Sequence, residues 1–264
     1  MTYFDTLRAA SKARNSLLCV GLDPNPEVIR GGLEGAVEFC RRLIEATSDV
    51  ACCYKPNAAF WEQYGPRGWE GLAAVRQRVP SDIPVLLDCK RADVPNTMAA
   101  YASAVFDAMR FDAATVHAYH GADSLAAFTK YRNHGVYVVC HTSNPRRSDL
   151  QHLHCGQEPL FVAVAEMAVR SDQNGNTGVV MGATAPREAA AIRARFPKLP
   201  FLLPGIGRQG GDVEAAVHAS FTGDPASCLI AVTSAIMYAD DPRGSAIACR
   251  DRIRRAAERA DASR

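Results

Sequence analysis

Eight apolar runs of strand length constrain the fold of this chain more than any other feature. The runs cover residues 16–23, 50–56, 83–90, 113–118, 135–141, 177–183, 199–205 and 227–233. They are nearly continuous in apolar residues, which is typical of parallel strands covered on both faces. Apolar residues recur at helical spacing between them, in segments 33–47, 97–110, 121–131, 157–170, 186–195 and 212–220.

This alternation predicts an α/β fold, specifically a (β/α)8 TIM barrel rather than an open doubly wound sheet, because eight strand-like runs alternate with helical patterns. The length of 264 residues suits one barrel. No low-complexity tract or linker interrupts the chain. We therefore expect a single domain over residues 1–264.

Composition and hydropathy limit which binding partners and which cellular compartment we expect. A formal net charge of +2 gives no basis for binding nucleic acid or a membrane surface. The first residues lack the apolar run of a signal peptide, and Phe4, Leu7 and Ala10 instead fit one helix face. The apolar runs are too short to span a membrane, so we expect a cytoplasmic protein. We expect the cysteines inside apolar runs to be reduced core thiols: Cys19, Cys52, Cys53, Cys89, Cys140 and Cys228.

One short segment raises the question of a metal. His152, His154 and Cys155 are close in sequence, but they share one polar loop and lack a second ligand pair. Structural zinc sites usually need four ligands. From the sequence we therefore predict no metal site in this loop.

Polar residues stand where the predicted strands end, which is where barrel enzymes place their active sites. Successive residues of a strand point to opposite faces, so Asp88 and Lys90 share a face, and Lys55 on the neighbouring strand could join them. A plain salt bridge would explain one pair. It explains poorly a set of four charges, Lys55, Asp88, Lys90 and Asp93, with Asp23 on the same rim.

Two loops carry binding signals. The segment "PGIGRQGGD" (204–212) follows the seventh strand with four glycines, and its backbone N–H groups could hold an anion at the start of the next helix. Gly207, Arg208 and Gln209 are the candidate anion-binding residues in this loop. A flexible turn would have a similar sequence. The polar segment 141–150 is either a binding loop or an exposed connection.

The segment "DCKRADVPNT" resembles the D-x-K-x-x-D signature of orotidine 5'-phosphate decarboxylases. "VGLDPNP", "YKPNAAFWEQYGPRG", "HTSNP", "GVVMGAT" and "PGIGRQGGD" resemble further blocks of the bacterial second-type family, in the same order. The resemblance spans about residues 3 to 240. It implies a (β/α)8 barrel that converts orotidine 5'-monophosphate to UMP without a cofactor, usually as a homodimer.

The resemblance also implies roles for particular residues. Lys90 would donate a proton to C6, within a charge network of Lys55, Asp88, Lys90 and Asp93. Asp93 and Thr97 would serve the neighbouring subunit's site. The remaining substrate contacts would come from Asp23, Asn57, Thr97, Ser143, Gly207, Arg208, Gln209 and Ser234.

Three positions depart from the family pattern. Ser234 stands where an arginine usually grips the phosphate, and a serine cannot replace a bidentate guanidinium. We predict that Arg208 compensates. His141 and Pro95 stand where lysine and glycine are expected. These departures keep two alternatives open: a specialised or weakly active nucleotide-binding paralogue, and a magnesium-dependent keto-sugar-phosphate decarboxylase or aldolase of the same superfamily.

Overall fold

The computed structural model describes residues 1–207 and 210–263. Within these ranges, eight parallel strands form the barrel, and we number them first to eighth along the chain. Their bounds are Leu18–Gly21, Cys53–Lys55, Leu86–Arg91, Ala113–His117, Gly135–His141, Thr177–Met181, Phe201–Leu203 and Cys228–Val232. Each strand lies inside its predicted run, except that the third ends one residue beyond it. The prediction of a (β/α)8 TIM barrel is confirmed.

The strand order around the sheet follows the chain. The first strand pairs with the second and the eighth, and the remaining strands follow in sequence back to the third. Parallel bridges from Tyr54 to Val85 and from Asn57 to Asp88 join the second strand to the third and close the barrel. The carboxyl ends of all eight strands therefore meet at one rim.

Helices surround the strands. Their bounds are Tyr3–Arg14, Gly32–Thr47, Ala59–Glu62, Pro66–Arg76, Pro95–Ser103, Ala122–Thr129, Ser148–Gln151, Leu160–Ser171, Pro186–Arg195, Val213–Ser220, Ser234–Met237 and Pro242–Ala262. The helix at Pro95 continues as a π-helical turn over Ala104–Ala108. Two short strands, His154–Cys155 and Glu158–Pro159, form a hairpin outside the barrel. No helix among the described residues is long and apolar enough to cross a membrane.

The N-terminal helix closes the bottom of the barrel. Thr2 and Asp5 form a capping box that starts it, and Phe4, Leu7 and Ala10 are buried as predicted. These side chains belong to one core cluster with inward-facing strand residues, including Cys53 and Leu86. Each strand also contributes to a second cluster that packs against the outer helices.

The cysteines inside the apolar runs lie in or beside the core, as predicted. Among all nine thiols, six are buried (Cys19, Cys40, Cys52, Cys53, Cys140 and Cys228), Cys89 and Cys249 are half-buried, and Cys155 is exposed. Burial raises the pKa of the Cys89 thiol to about 11, so this thiol is protonated at neutral pH. The buried cysteines act as small apolar side chains.

Candidate active site

A cavity of about 470 Å³ opens at the carboxyl ends of the strands. Its lining includes seven of the residues that the sequence singled out: Asp23, Lys55, Asn57, Asp88, Lys90, Ser143 and Ser234. These residues come from the ends of five different strands or from the loops that follow them. The sequence therefore predicted the position of the cavity.

Three charged side chains form an ionic chain on the cavity floor. Lys55 and Asp88 follow Cys53 and Leu86 by two residues, so they occupy the same inward face of their strands. Lys55 Nζ lies 3.2 Å from Asp88 Oδ2, and Lys90 Nζ donates to Asp88 Oδ1 at 2.6 Å. Lys55 is 4% exposed and Asp88 is 9% exposed, whereas Lys90 is open to the cavity.

Burial alone would raise the pKa of Asp88, because it disfavours a charged carboxylate. The nearby Lys55 and Lys90 ammoniums outweigh it and hold the pKa of Asp88 well below its ordinary value. Burial likewise opposes the charge of Lys55, but Asp88 and Asp23 raise the pKa of that lysine above its ordinary value. Asp88 and Lys55 are therefore both ionised at neutral pH.

The backbone of Lys90 has an unusual conformation. Its φ of 46° lies in the left-handed region, and the register of the third strand shifts between Leu87 and Arg91. Such a conformation costs about 1–3 kcal/mol in a residue other than glycine and needs support. The support comes from Thr115, whose Oγ1 accepts from Lys90 N at 3.0 Å and donates to Asp88 Oδ1 at 2.8 Å.

A second group positions Asp23 at the cavity wall. Asp23 Oδ1 accepts a hydrogen bond from Asn57 N at 2.8 Å. The Tyr238 hydroxyl donates to Asp23 O at 2.9 Å and accepts from Asn25 N at 3.0 Å. Burial raises the pKa of Asp23, against the opposing influence of Lys55 and the Asn57 N–H.

The loop after the fifth strand contributes Thr142, Ser143 and Asn144 to the cavity, so it is a lining loop rather than only an exposed connection. Gly182, at the end of the sixth strand, makes room for it. A Cβ at Gly182 would lie 2.8 Å from Ser143 N. The glycine in "GVVMGAT" therefore lets the loop backbone approach the neighbouring strand.

Some predicted residues lie outside the cavity lining. Asp93 and Thr97 are half-buried and do not contribute to it, and Gly207 is exposed with a positive φ of 85°. Arg208 and Gln209 lie outside the described residues, so their predicted roles stay predictions.

Among the described lining residues, Lys55 and Lys90 are the cations. Ser234 and Thr233 give the far end neutral hydroxyl groups.

Sequence reasoning missed Thr115 and Tyr238. Thr115 sits in an apolar run, and a polar residue on its inward face was the available signal. Tyr238 lies in the connection after the last strand, and its contact with Asp23 spans almost the whole chain. No local pattern predicts that contact.

A further polar group lies beside the cavity without lining it. His141 Nε2 lies 2.9 Å from His152 Nε2, and Glu188 Oε1 lies 3.8 Å from His152 Nε2. Their ligand atoms all lie within 4.8 Å of one another, so the group could hold a metal ion. Burial is the main cause that lowers the pKa of His141 to about 4, although Glu188 opposes the effect.

A (β/α)8 barrel has its strands' carboxyl ends at one rim, and here a Lys–Asp–Lys chain with a buried carboxylate lies at that rim. Together they define an enzyme whose cavity stabilises or moves charge. Comparison with known proteins specifies the class. Residues 16–249 match the model of the orotidine 5'-phosphate decarboxylase / HUMPS family. The chain belongs to this family.

Individual relatives agree. The orotidine 5'-phosphate decarboxylase of Thermomicrobium roseum is 47% identical over 247 residues, which cover 91% of this chain and 88% of that protein. The enzyme of the same name from Herpetosiphon aurantiacus is 44% identical over 254 residues and 94% of each chain. The structure of Leishmania donovani OMP decarboxylase superposes with a TM-score of 0.90 at 43% identity, covering 98% of this chain and 100% of that one.

Proposed function

We propose that this protein converts orotidine 5'-monophosphate to UMP and CO2, as a cofactor-independent decarboxylase of pyrimidine synthesis. One observation carries the proposal: Lys90 Nζ is held at 2.6 Å from the buried carboxylate of Asp88, at the open floor of the cavity. Family membership supplies the substrate, since the named relatives are orotidine 5'-phosphate decarboxylases.

The chemistry requires a fixed cation beside C6 of the pyrimidine. When the C6–carboxylate bond breaks, its electron pair stays on C6 in the ring plane, where no adjacent π system delocalises it. The Lys90 ammonium stabilises this charge and then gives C6 a proton, and the neutral amine regains a proton from water. Preorganised charge of this kind is commonly the largest single contribution to catalysis.

Asp88 and Lys55 keep Lys90 in place. Asp88 accepts from both lysines and from Thr115, so its carboxylate has little freedom to turn. Lys90 is thereby held in one rotamer before substrate arrives, which reduces reorganisation during the reaction.

We assign the remaining substrate contacts from the family resemblance. Asp23, Lys55, Asn57 and Thr97 are assigned to the ribose, and Ser143 to the amide edge of the pyrimidine. Gly207, Arg208, Gln209 and Ser234 are assigned to the phosphate. The neutral hydroxyl of Ser234 leaves Arg208 as the cation for this end. Phosphate binding far from C6 then contributes to catalysis through remote binding energy.

We further propose that residues 1–264 form a single barrel domain. We also propose that the protein is a homodimer and that it is located in the cytoplasm. Asp93 and Thr97 do not line the cavity of their own chain, and the exposed Val94 lies beside Asp93. Both observations support a site that Asp93 and Thr97 complete in the neighbouring subunit. No nucleic-acid partner is proposed.

The activity is tested by mixing purified, chelator-treated protein with orotidine 5'-monophosphate and following the loss of pyrimidine absorbance. The proposal expects turnover that EDTA does not reduce. Turnover that requires added Mg²⁺, with a keto-sugar phosphate as the better substrate, would favour the superfamily alternative. Binding of UMP without turnover would favour a nucleotide-binding paralogue.

Mixing two inactive variants tests the shared site. In a mixture of Lys90→Ala and Asp93→Asn chains, half of the dimers are mixed, and each mixed dimer retains one complete site. About one quarter of wild-type activity should therefore return. No recovery after the subunits have exchanged would show that Asp93 acts within its own chain.

A further inference from the structure

We propose that His141, His152 and Glu188 form a binding site for a divalent transition-metal ion of the Zn²⁺ class, which ties the cavity-lining loop to the barrel. This site is separate from the decarboxylation chemistry. None of the three residues lines the 470 Å³ cavity. Its existence does not depend on the substrate proposed above.

The three ligands come from three different elements. His141 is the last residue of the fifth strand, and its backbone oxygen accepts from Gly182 N at 2.7 Å. His152 caps the short helix Ser148–Gln151 in the loop, and Glu188 lies in the first turn of the helix Pro186–Arg195. A shared ion would therefore join the loop to two fixed parts of the barrel.

The distances fit a metal with little movement. At metal–nitrogen bonds of about 2.0–2.1 Å, two imidazole nitrogens on one ion are about 2.9–3.4 Å apart for angles from square to tetrahedral. The two Nε2 atoms are 2.9 Å apart. Glu188 Oε1, at 3.8 Å from His152 Nε2, reaches the same range by a small carboxylate shift.

Hydrogen bonding alone joins only two of the three groups. Only one proton can lie between the two Nε2 atoms, and the Glu188 carboxylate is too far from His152 for a hydrogen bond. His141 Nδ1 has no hydrogen-bond partner among the described residues, whichever ring nitrogen carries the proton. This atom therefore favours neither the metal-bound nor the metal-free arrangement. A cation bound by both nitrogens and the carboxylate would join all three groups.

The surroundings favour nitrogen-binding metals. His141 is fully buried, and Phe161 packs against both imidazole rings with centroid distances of 5.1 and 5.7 Å. Two imidazoles and one carboxylate suit Zn²⁺, Co²⁺ or Ni²⁺, whereas Mg²⁺ and Ca²⁺ prefer oxygen ligands. Water would complete the coordination, because His152 and Glu188 are partly exposed.

The site differs from the sequence-level candidate. His154 and Cys155 lie in the exposed hairpin, and neither belongs to the group. His141 replaces the lysine that the family pattern leads one to expect, and it supplies the buried ligand. The fold therefore brings together a set that the spacing of His152, His154 and Cys155 does not indicate.

Metal uptake tests the proposal directly. Chelator-treated protein is dialysed against Zn²⁺, and bound metal is counted per chain; Co²⁺ supplies an independent absorbance signal. We expect one ion per chain. His152→Gln and Glu188→Gln should weaken binding by more than the roughly 10–100-fold that loss of an outer-shell partner costs. Both positions are partly exposed, and circular dichroism checks that each variant folds.

A double variant, His154→Gln with Cys155→Ser, is the matched control in the adjacent hairpin and should bind like wild type. Trypsin gives a second readout, because Arg146 is an exposed cleavage site in the tied loop. Zn²⁺ should slow cleavage there in wild type and control, but not in Glu188→Gln. No uptake by wild type, or uptake that follows the control residues instead, would overturn the proposal.

Discussion

Replacing Thr115 with valine removes one hydroxyl from beneath the ionic chain and keeps the volume and branching of the side chain. The hydroxyl donates to the ionised Asp88 and accepts from the backbone of Lys90. Thr115 itself is fully buried and does not line the cavity. The variant therefore changes how Lys90 is held without changing a substrate contact.

The expected loss follows from the hydrogen bond to Asp88. A hydrogen bond to a charged group contributes about 1.5–3 kcal/mol, and each 1.36 kcal/mol of lost transition-state stabilisation is tenfold in rate. We expect kcat/KM to fall by about 10- to 150-fold. The fall should lie mainly in kcat, because the groups that bind substrate remain.

The assay is steady-state decarboxylation of orotidine 5'-monophosphate by both variants of a matched pair. Thr177→Val is the control, because Thr177 is equally buried in a barrel strand and its hydroxyl has no partner among the described residues. It should keep wild-type kcat and KM. If Thr115→Val retained kcat/KM within about twofold of wild type, the positioning role of Thr115 would be refuted.

Three further predictions concern charge and substrate binding. Asp88→Asn should lower the free energy of unfolding by about 3–5 kcal/mol at pH 7, because Lys55 loses its buried partner. The depressed pKa of Asp88 stabilises the folded wild type above about pH 4, so this difference should shrink by about 1 kcal/mol in denaturant titrations at pH 3; an equal difference at both pH values would contradict it. Arg208→Ala should raise KM by about 10-fold or more if Arg208 is the phosphate cation, and an unchanged KM would exclude that role. Tyr238→Phe should raise KM several-fold, because two hydrogen bonds that position the Asp23 turn are lost, and it should leave kcat nearly unchanged.

Much of the fold was predictable because a parallel barrel repeats one local pattern eight times. Apolar runs mark its strands, and the alternation of faces within a strand predicted that Asp88 and Lys90 share one face. Family resemblance then pointed to the charge set of Lys55, Asp88, Lys90 and Asp93. The structure brings the first three together, whereas Asp93 lies outside the cavity of its own chain.

The remaining contacts depend on how distant parts of the chain come together in the barrel. Thr115 meets Asp88 because the third strand pairs with the fourth, with Leu87 opposite Ala114. Tyr238 meets Asp23 because the last connection returns beside the first strand. Neither contact leaves a periodic signal in the sequence, so both required the structure.

The predicted bounds of one helix also differ from the observed bounds. The segment 97–110 was predicted as one helix, but the α-helix begins at Pro95 and becomes a π-helical turn at Ala104–Ala108. Proline suits a first helical position, since it lacks an N–H that would have no partner there. The π-turn depends on packing and has no marker in the local spacing.

The role of Lys90 is the central claim, and kcat/KM of Lys90→Ala for orotidine 5'-monophosphate tests it most directly. Removing one preorganised catalytic donor commonly costs about 10²–10³ in rate, and Lys90 is proposed to supply both the fixed charge and the proton. We predict a loss of at least about 1000-fold with UMP binding retained. Activity within tenfold of wild type would contradict the account.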